Sequence, residues 1–208
     1  MSAALVAALL GSVVLLLWLI GACQRLRGLR QLVTRAFAPV DVQIQHRREL
    51  LLRWADDLRV ARELGSRREN AWPPADFSIA QGGATRAHSA QDDHTFEALV
   101  AACGQLHAAG DALRASPARR GAASSVRVAD AALTEARARL QAEPPPPPDR
   151  RSSRDRQVLV DRLAAADQAL AVARGHFNAA TQAYNRAAGQ FPTWLMARLC
   201  GFRAAGSL

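Results

Sequence analysis

The side chains able to do chemistry are few and scattered. His88, Asp92, Asp93 and His94 bring four metal-capable groups into one short stretch. That stretch has no Cys and no regular spacing to hold a tetrahedral site, so no metal site is assigned to it. Cys103 falls on an apolar spacing and reads as a reduced, buried small hydrophobe. His46, His107 and His176 lie on separate segments. Neither a Gly-rich phosphate loop nor a nucleophile elbow occurs. The residues therefore assign no catalytic, cofactor-binding or metal-binding role, and the chain reads as a non-enzyme.

What the sequence has in quantity is positive charge. It carries 27 basic against 18 acidic side chains, a net charge of +9, and every basic residue is Arg. Such a balance calls for an acidic partner, either nucleic acid or an anionic membrane surface. After Asp167 there is no acid at all, while Arg174, Arg186, Arg198 and Arg203 remain. Trp194, Leu195, Met196, Leu199 and Phe202 lie among the last of these arginines. A basic, apolar tail of this kind suits anionic lipid, although folding back to close the end of a helical bundle would also bury its apolar side. With no recognised nucleic-acid motif, an Arg-rich binder of nucleic acid or another anionic polymer is the second reading.

The elements that carry these residues are helical. Ala and Arg are abundant and aromatics make up 5% of the chain, which favours helix over sheet. Residues 3–22 are uncharged and span about 30 Å as a helix, one hydrocarbon thickness. Arg25, Arg27, Arg30 and Arg35 all follow that run. By the positive-inside bias the N-terminus is outside and the rest of the chain is cytoplasmic. The run reads as an uncleaved anchor over 1–24. The alternatives are lipid modification at Cys23, where Ile20-Gly21-Ala22-Cys23 looks like a lipobox, and ordinary signal cleavage.

Beyond the anchor the apolar spacing alternates threes and fours. A first bundle helix, 25–64, carries Val33, Phe37, Val40, Ile44, Leu51, Trp54, Leu58 and Ala61. Arg47 interrupts this seam, and Pro39 should kink the helix or mark its true start. The rhythm is lost over 65–93, which reads as a loop or a disordered insertion. Middle helices over 94–143 carry Phe96, Leu99, Cys103, Leu106, Gly110 and Leu113, then Val126, Ala129, Leu133, Ala136 and Leu140. Pro144 to Pro148 makes a stiff linker, 144–152. A long helix follows over 153–191, with a seam of Leu159, Leu163, Ala166, Leu170, Ala173, Phe177, Ala180, Tyr184, Ala187 and Phe191. Residues 192–208 form the apolar, basic tail. The expected fold is all-α: a transmembrane helix followed by an elongated antiparallel four-helix bundle.

Two pairs stand out on the last helix. Phe177 and Tyr184 are seven apart and share the seam; Asn178 and Asn185 follow them, also seven apart. Asn at such positions can set the register between helices, or it can sit on a solvated edge. Phe191-Pro192 should end the helix.

Read in order, Ala173-Arg174, Phe177-Asn178, Tyr184-Asn185, Phe191-Pro192 and Gly201-Phe202 resemble the C-terminal signature of the LemA family. Val40-Asp41-Val42-Gln43 and Arg47-Arg48-Glu49-Leu50 are similar to that family's Asp-Val-Gln and Arg-Arg-Asp-Leu stretches. The middle of the chain departs, and Leu52-Arg53 stands where the family has Pro-Asn. The resemblance implies a single-pass bacterial membrane protein with a cytoplasmic helical bundle and no established enzymatic activity. The motif residues are then structural: Asp41, Gln43, Arg47, Arg48, Arg174, Phe177, Asn178, Tyr184, Asn185, Phe191, Pro192, Gly201 and Phe202. The partners expected are the bilayer through residues 3–22, anionic lipid at the C-terminal tail, an unidentified protein, and a second copy of the chain.

Overall fold

The computed structural model describes residues 3–71, 81–142, 150–190, 194, 197, 201 and 203–208. The described chain forms four helices and no strand: α1 (Ala3–Ala71), α2 (Gln81–Ala115), α3 (Arg120–Ala142) and α4 (Arg150–Gly189).

The expected anchor and first bundle helix are one element. α1 runs for 69 residues, about 100 Å at 1.5 Å per residue. Among the described residues it is the one helix long and apolar enough to cross a membrane. Leu5 to Ile20 face outward, and the first fully buried side chain is Leu26. Helix is unbroken between them, so the apolar segment joins the bundle without a hinge. Pro39 lies inside α1 and does not start it. A proline within a helix forfeits one backbone bond and costs about 3 kcal/mol. Val33, Phe37, Val40 and Ile44 flank it, all buried on one face, and their packing offsets that loss.

Nor do residues 65–93 form one loop. α1 continues to Ala71 and α2 begins at Gln81, leaving 72–80 outside the described residues together with the proline run 144–148. Apolar periodicity reports a buried face, not helicity, so a polar helical stretch lacks the signal.

The bundle core follows the seams. Every seam position named above on α2 and α3, Phe96 to Leu113 and Val126 to Leu140, is buried. On α4, Leu163, Ala166, Leu170, Ala173, Phe177 and Tyr184 are buried, but the buried face then runs through Thr181, and Ala180 is only half-buried. A straight helix has 3.6 residues per turn and drifts about 20° per heptad from a 3.5-residue repeat, which moves the face by one residue here. α1 packs antiparallel on α4, with the Phe37 and Phe177 rings edge to face at 6.1 Å. α2 packs on α3, and α1 also contacts α2, where the Arg62 guanidinium lies 5.2 Å from the Phe96 ring centre. Among the described residues no Cα of α3 comes within 8 Å of α4.

Candidate functional site

Long side chains bridge α3 and α4 where their backbones stay apart. Arg47 of α1 is almost fully buried. Its Nη1 donates to Asp130 Oδ1 of α3 at 2.6 Å, and its Nε stands 2.7 Å from Asp167 Oδ1 of α4. The second contact is too bent for a hydrogen bond. Arg137 of α3 donates to Asp167 Oδ2 at 2.7 Å, and Arg174 of α4 pairs with Asp130 Oδ2 at 3.0 Å. Each aspartate thus serves two arginines, and each arginine-aspartate step crosses between helices. Breaking such a buried network is costly, but an apolar core of equal volume would often be as stable. What the network adds over apolar packing is register, because only one axial alignment brings the forks to the carboxylates.

Arg47 and Arg174 were legible as motif positions; Asp130, Arg137 and Asp167 were not singled out as their partners. Arg174 is accordingly half-buried and paired with Asp130, and is not a free charge of the tail. Nearer the anchor, Arg114 of α2 grips Asp41 of α1 through Nη2–Oδ1 at 2.6 Å and Nε–Oδ2 at 3.2 Å. That hydrogen bond also holds the Arg114 guanidinium above its ordinary pKa. Gln43 and Arg48 are half-buried on α1.

The two asparagines do not register one helix against another. They hold the backbone of residues 205 and 208. Asn185 Nδ2 donates to the Ala205 carbonyl at 2.9 Å, and its Oδ1 accepts from the Ala205 N–H at 2.8 Å. Asn178 does the same to Leu208, at 2.7 Å in both directions. The Tyr184 hydroxyl donates to the Arg203 carbonyl at 3.1 Å. Residues 203–208 therefore run back along α4 as an extended segment. The spacing is a length match: seven helical residues rise about 10.5 Å, and three extended residues span about 10 Å. On its other side the tail presses on α3. A Cβ at Gly206 would stand 2.8 Å from Ala123 Cβ and 2.9 Å from Arg120 Cα, so only glycine fits there. Gly201 turns the chain at φ +70°, a conformation that suits glycine. Phe191, Pro192 and Phe202 lie outside the described residues.

Burial pushes the Tyr184 hydroxyl above its usual pKa, opposed by the charge of Arg30. Burial likewise raises the Cys103 thiol, opposed by Arg48 and Arg47. Both groups stay protonated near neutrality and serve packing and hydrogen bonding. Among the described residues no cluster of three or more His, Cys, Asp or Glu side chains forms a metal site. His94 faces solvent beside Glu97, and the side chains of His88, Asp92 and Asp93 lie outside the described set.

The model of the LemA family matches residues 84–207. That range takes in both middle helices, which the motifs set apart, as well as the C-terminal signature. No curated protein and no solved structure matches the chain.

Proposed function

The chain belongs to the LemA family, and from that premise we propose that it is a non-catalytic interaction scaffold mounted on the inner face of a bacterial cell membrane. The observation that carries this reading is α1. One uninterrupted helix begins as an exposed apolar segment and ends as a core element of the bundle. A hinge-free mount holds a rigid surface at a set height above the bilayer, which suits the presentation of a docking face. In this reading the N-terminus is outside, the span is single-pass, and the bundle is cytoplasmic, packed by coiled-coil-like seams. The partner is another envelope protein or a second copy of the chain.

The competing nucleic-acid reading loses ground to the ion pairs. Arg47, Arg53, Arg59, Arg114, Arg137, Arg139 and Arg174 are all committed to carboxylates of the bundle itself. A photo-crosslinking residue at exposed Val60, Leu64 or Val100, used in intact membranes with mass spectrometry, tests the scaffold. The expected result is one recurrent protein adduct. Labelling of only random, abundant neighbours from all three positions would refute it. Protease protection on spheroplasts tests the orientation, with the bundle expected to survive until the membrane is broken.

A further inference from the structure

We infer that the end of the bundle nearest the span carries a cleft for the phosphate of an anionic phospholipid headgroup, built by Arg30, Arg119, Arg120 and Arg203; this rests on α1 crossing the bilayer as proposed above. Arg30 lies on α1, Arg119 and Arg120 at the α2–α3 turn, and Arg203 on the returning tail. A hollow of about 220 Å3 is lined by Arg30, Ser116, Arg119, Tyr184 and Arg203. A second, of about 490 Å3, adjoins it between Arg119, Arg120 and Arg203.

These arginines differ from those in the bundle. Among the described residues no carboxylate pairs with any of the four, whereas Asp41 and Asp111 near this end are both taken by Arg114. Arginines from three separate segments line this end with no paired carboxylate among the described residues, a concentration of like charge that an anion would relieve. Guanidinium forks match phosphate oxygens two at a time. The start of α3 adds to the same field. It has no acid in its first turn, and its first inward backbone bond is Ala123 N–H to Arg119 O at 3.3 Å. The N–H groups before it have no helical acceptor.

Position identifies the anion's source. Arg30 follows the apolar run 3–22 by eight residues, about 12 Å along the helix. Helical side chains lean toward the N-terminus, here toward the bilayer. The headgroup layer extends roughly 5–7 Å beyond the hydrocarbon on each side. The guanidinium of Arg30 and a lipid phosphate therefore meet at one depth. The tail clamp now has a purpose at this end: Tyr184 and Asn185 fix the backbone at Arg203 and Ala205, and so position Arg203 over the hollow.

The test is lipid retention by the full-length protein in neutral detergent, read by native mass spectrometry during titration with phosphatidylglycerol or phosphatidylcholine. Each arginine near an anionic surface is worth about a factor of five, so R119Q/R120Q/R203Q should lose about 100-fold in phosphatidylglycerol affinity. The far-end triple variant R53Q/R59Q/R139Q has the same net charge and should keep it. Equal loss in both variants, or none in the first, overturns the cleft. So does equal retention of phosphatidylcholine. Displacement of the lipid by inorganic phosphate at matched concentration would assign the cleft to a soluble phosphate and overturn the lipid source. Resistance to alkaline extraction from membranes reads the anchor separately. An integrated chain whose lipid retention ignores the triple substitution overturns the cleft alone; an extractable chain overturns the anchor.

Discussion

Replacing Asn185 by Ala should free the C-terminal tail while leaving the helices folded. The side chain makes two hydrogen bonds to one residue, Ala205, which is buried. A hydrogen bond is worth about 0.5–1.5 kcal/mol net, so the substitution costs about 1–3 kcal/mol of tail docking. That is roughly a 5- to 150-fold rise in the population of the open tail. The double variant N178A/N185A removes all four bonds and should leave the tail undocked. Hydrogen exchange resolves the effect. The Leu208 amide, whose acceptor Asn178 is kept, should lose its protection by the stated factor, and the Ala205 amide, left without its acceptor, should lose still more. Amides in the middle of α3, such as that of Leu133, should be unchanged, because tail opening is local. Asn185→Asp supplies a sharper control. Its carboxylate still accepts from the Ala205 N–H but repels the Ala205 carbonyl, so the tail should open at neutral pH and close again once the acid is protonated. Unaltered exchange at Ala205 in Asn185→Ala would refute the clamp. A matching collapse of protection across α3 would refute its local character.

Three further outcomes follow from the same geometry. Arg47→Ala should destabilise the bundle by about 2–4 kcal/mol in urea titration; because Asp130 and Asp167 each keep a second arginine, Arg47→Met, which restores the volume, should recover most of that. Gly206→Ala should cost about 1–3 kcal/mol of tail docking, or lift the tail outright, because its Cβ would collide with Ala123 and Arg120; exchange at Ala205 reads this too. Tyr184 is the one tyrosine, so alkaline tyrosinate absorbance reports it directly. Its folded pKa lies above the ordinary value near 10. The fold therefore holds the neutral hydroxyl, and that contribution is complete below pH 10 and lost as pH rises through the folded value. Tyr184→Phe should flatten stability against pH in that alkaline window, and retention of the slope would point to another group.

The buried seams were legible because helical spacing depends only on which face meets a neighbour. Phe177 and Tyr184 on α4, and Leu133 and Leu140 on α3, are buried where the threes and fours place them. Arg47 was visible as a charge on an apolar seam, but its acids belong to two other helices and no local spacing marks them. A weak sign was present. Asp130, Arg137, Asp167 and Arg174 each directly follow a seam alanine, where a small residue leaves room for a neighbouring side chain to enter. The asparagines carried less information still. An amide that can pair with another helix can equally pair with an extended backbone, and a seven-residue spacing fits both. The polar helix beyond residue 64 was illegible for a different reason: its sequence has no apolar period to read.

The tail and the arginine network answer one structural problem. Among the described residues no Cα of α3 comes within 8 Å of one in α4, which leaves between the two helix pairs a channel that only side chains and the tail cross. From the anchor end outward, α4 presents Asn185 and Asn178, then Arg174 and Asp167; α3 presents Ala123, then Asp130 and Arg137. The inner half of the channel holds the extended tail, and the outer half holds the ion pairs. Both fillings repeat every seven residues, because both must meet the same face of α4. Each aromatic-Asn pair of the signature divides its labour accordingly. Phe177 packs inward on Phe37 of α1 while Asn178, one step around the helix, turns to the channel. Tyr184 reaches Arg203 as Asn185 takes Ala205. The ordered recurrence of these residue types is what a bundle of two loosely joined pairs requires when its last segment must be threaded between them.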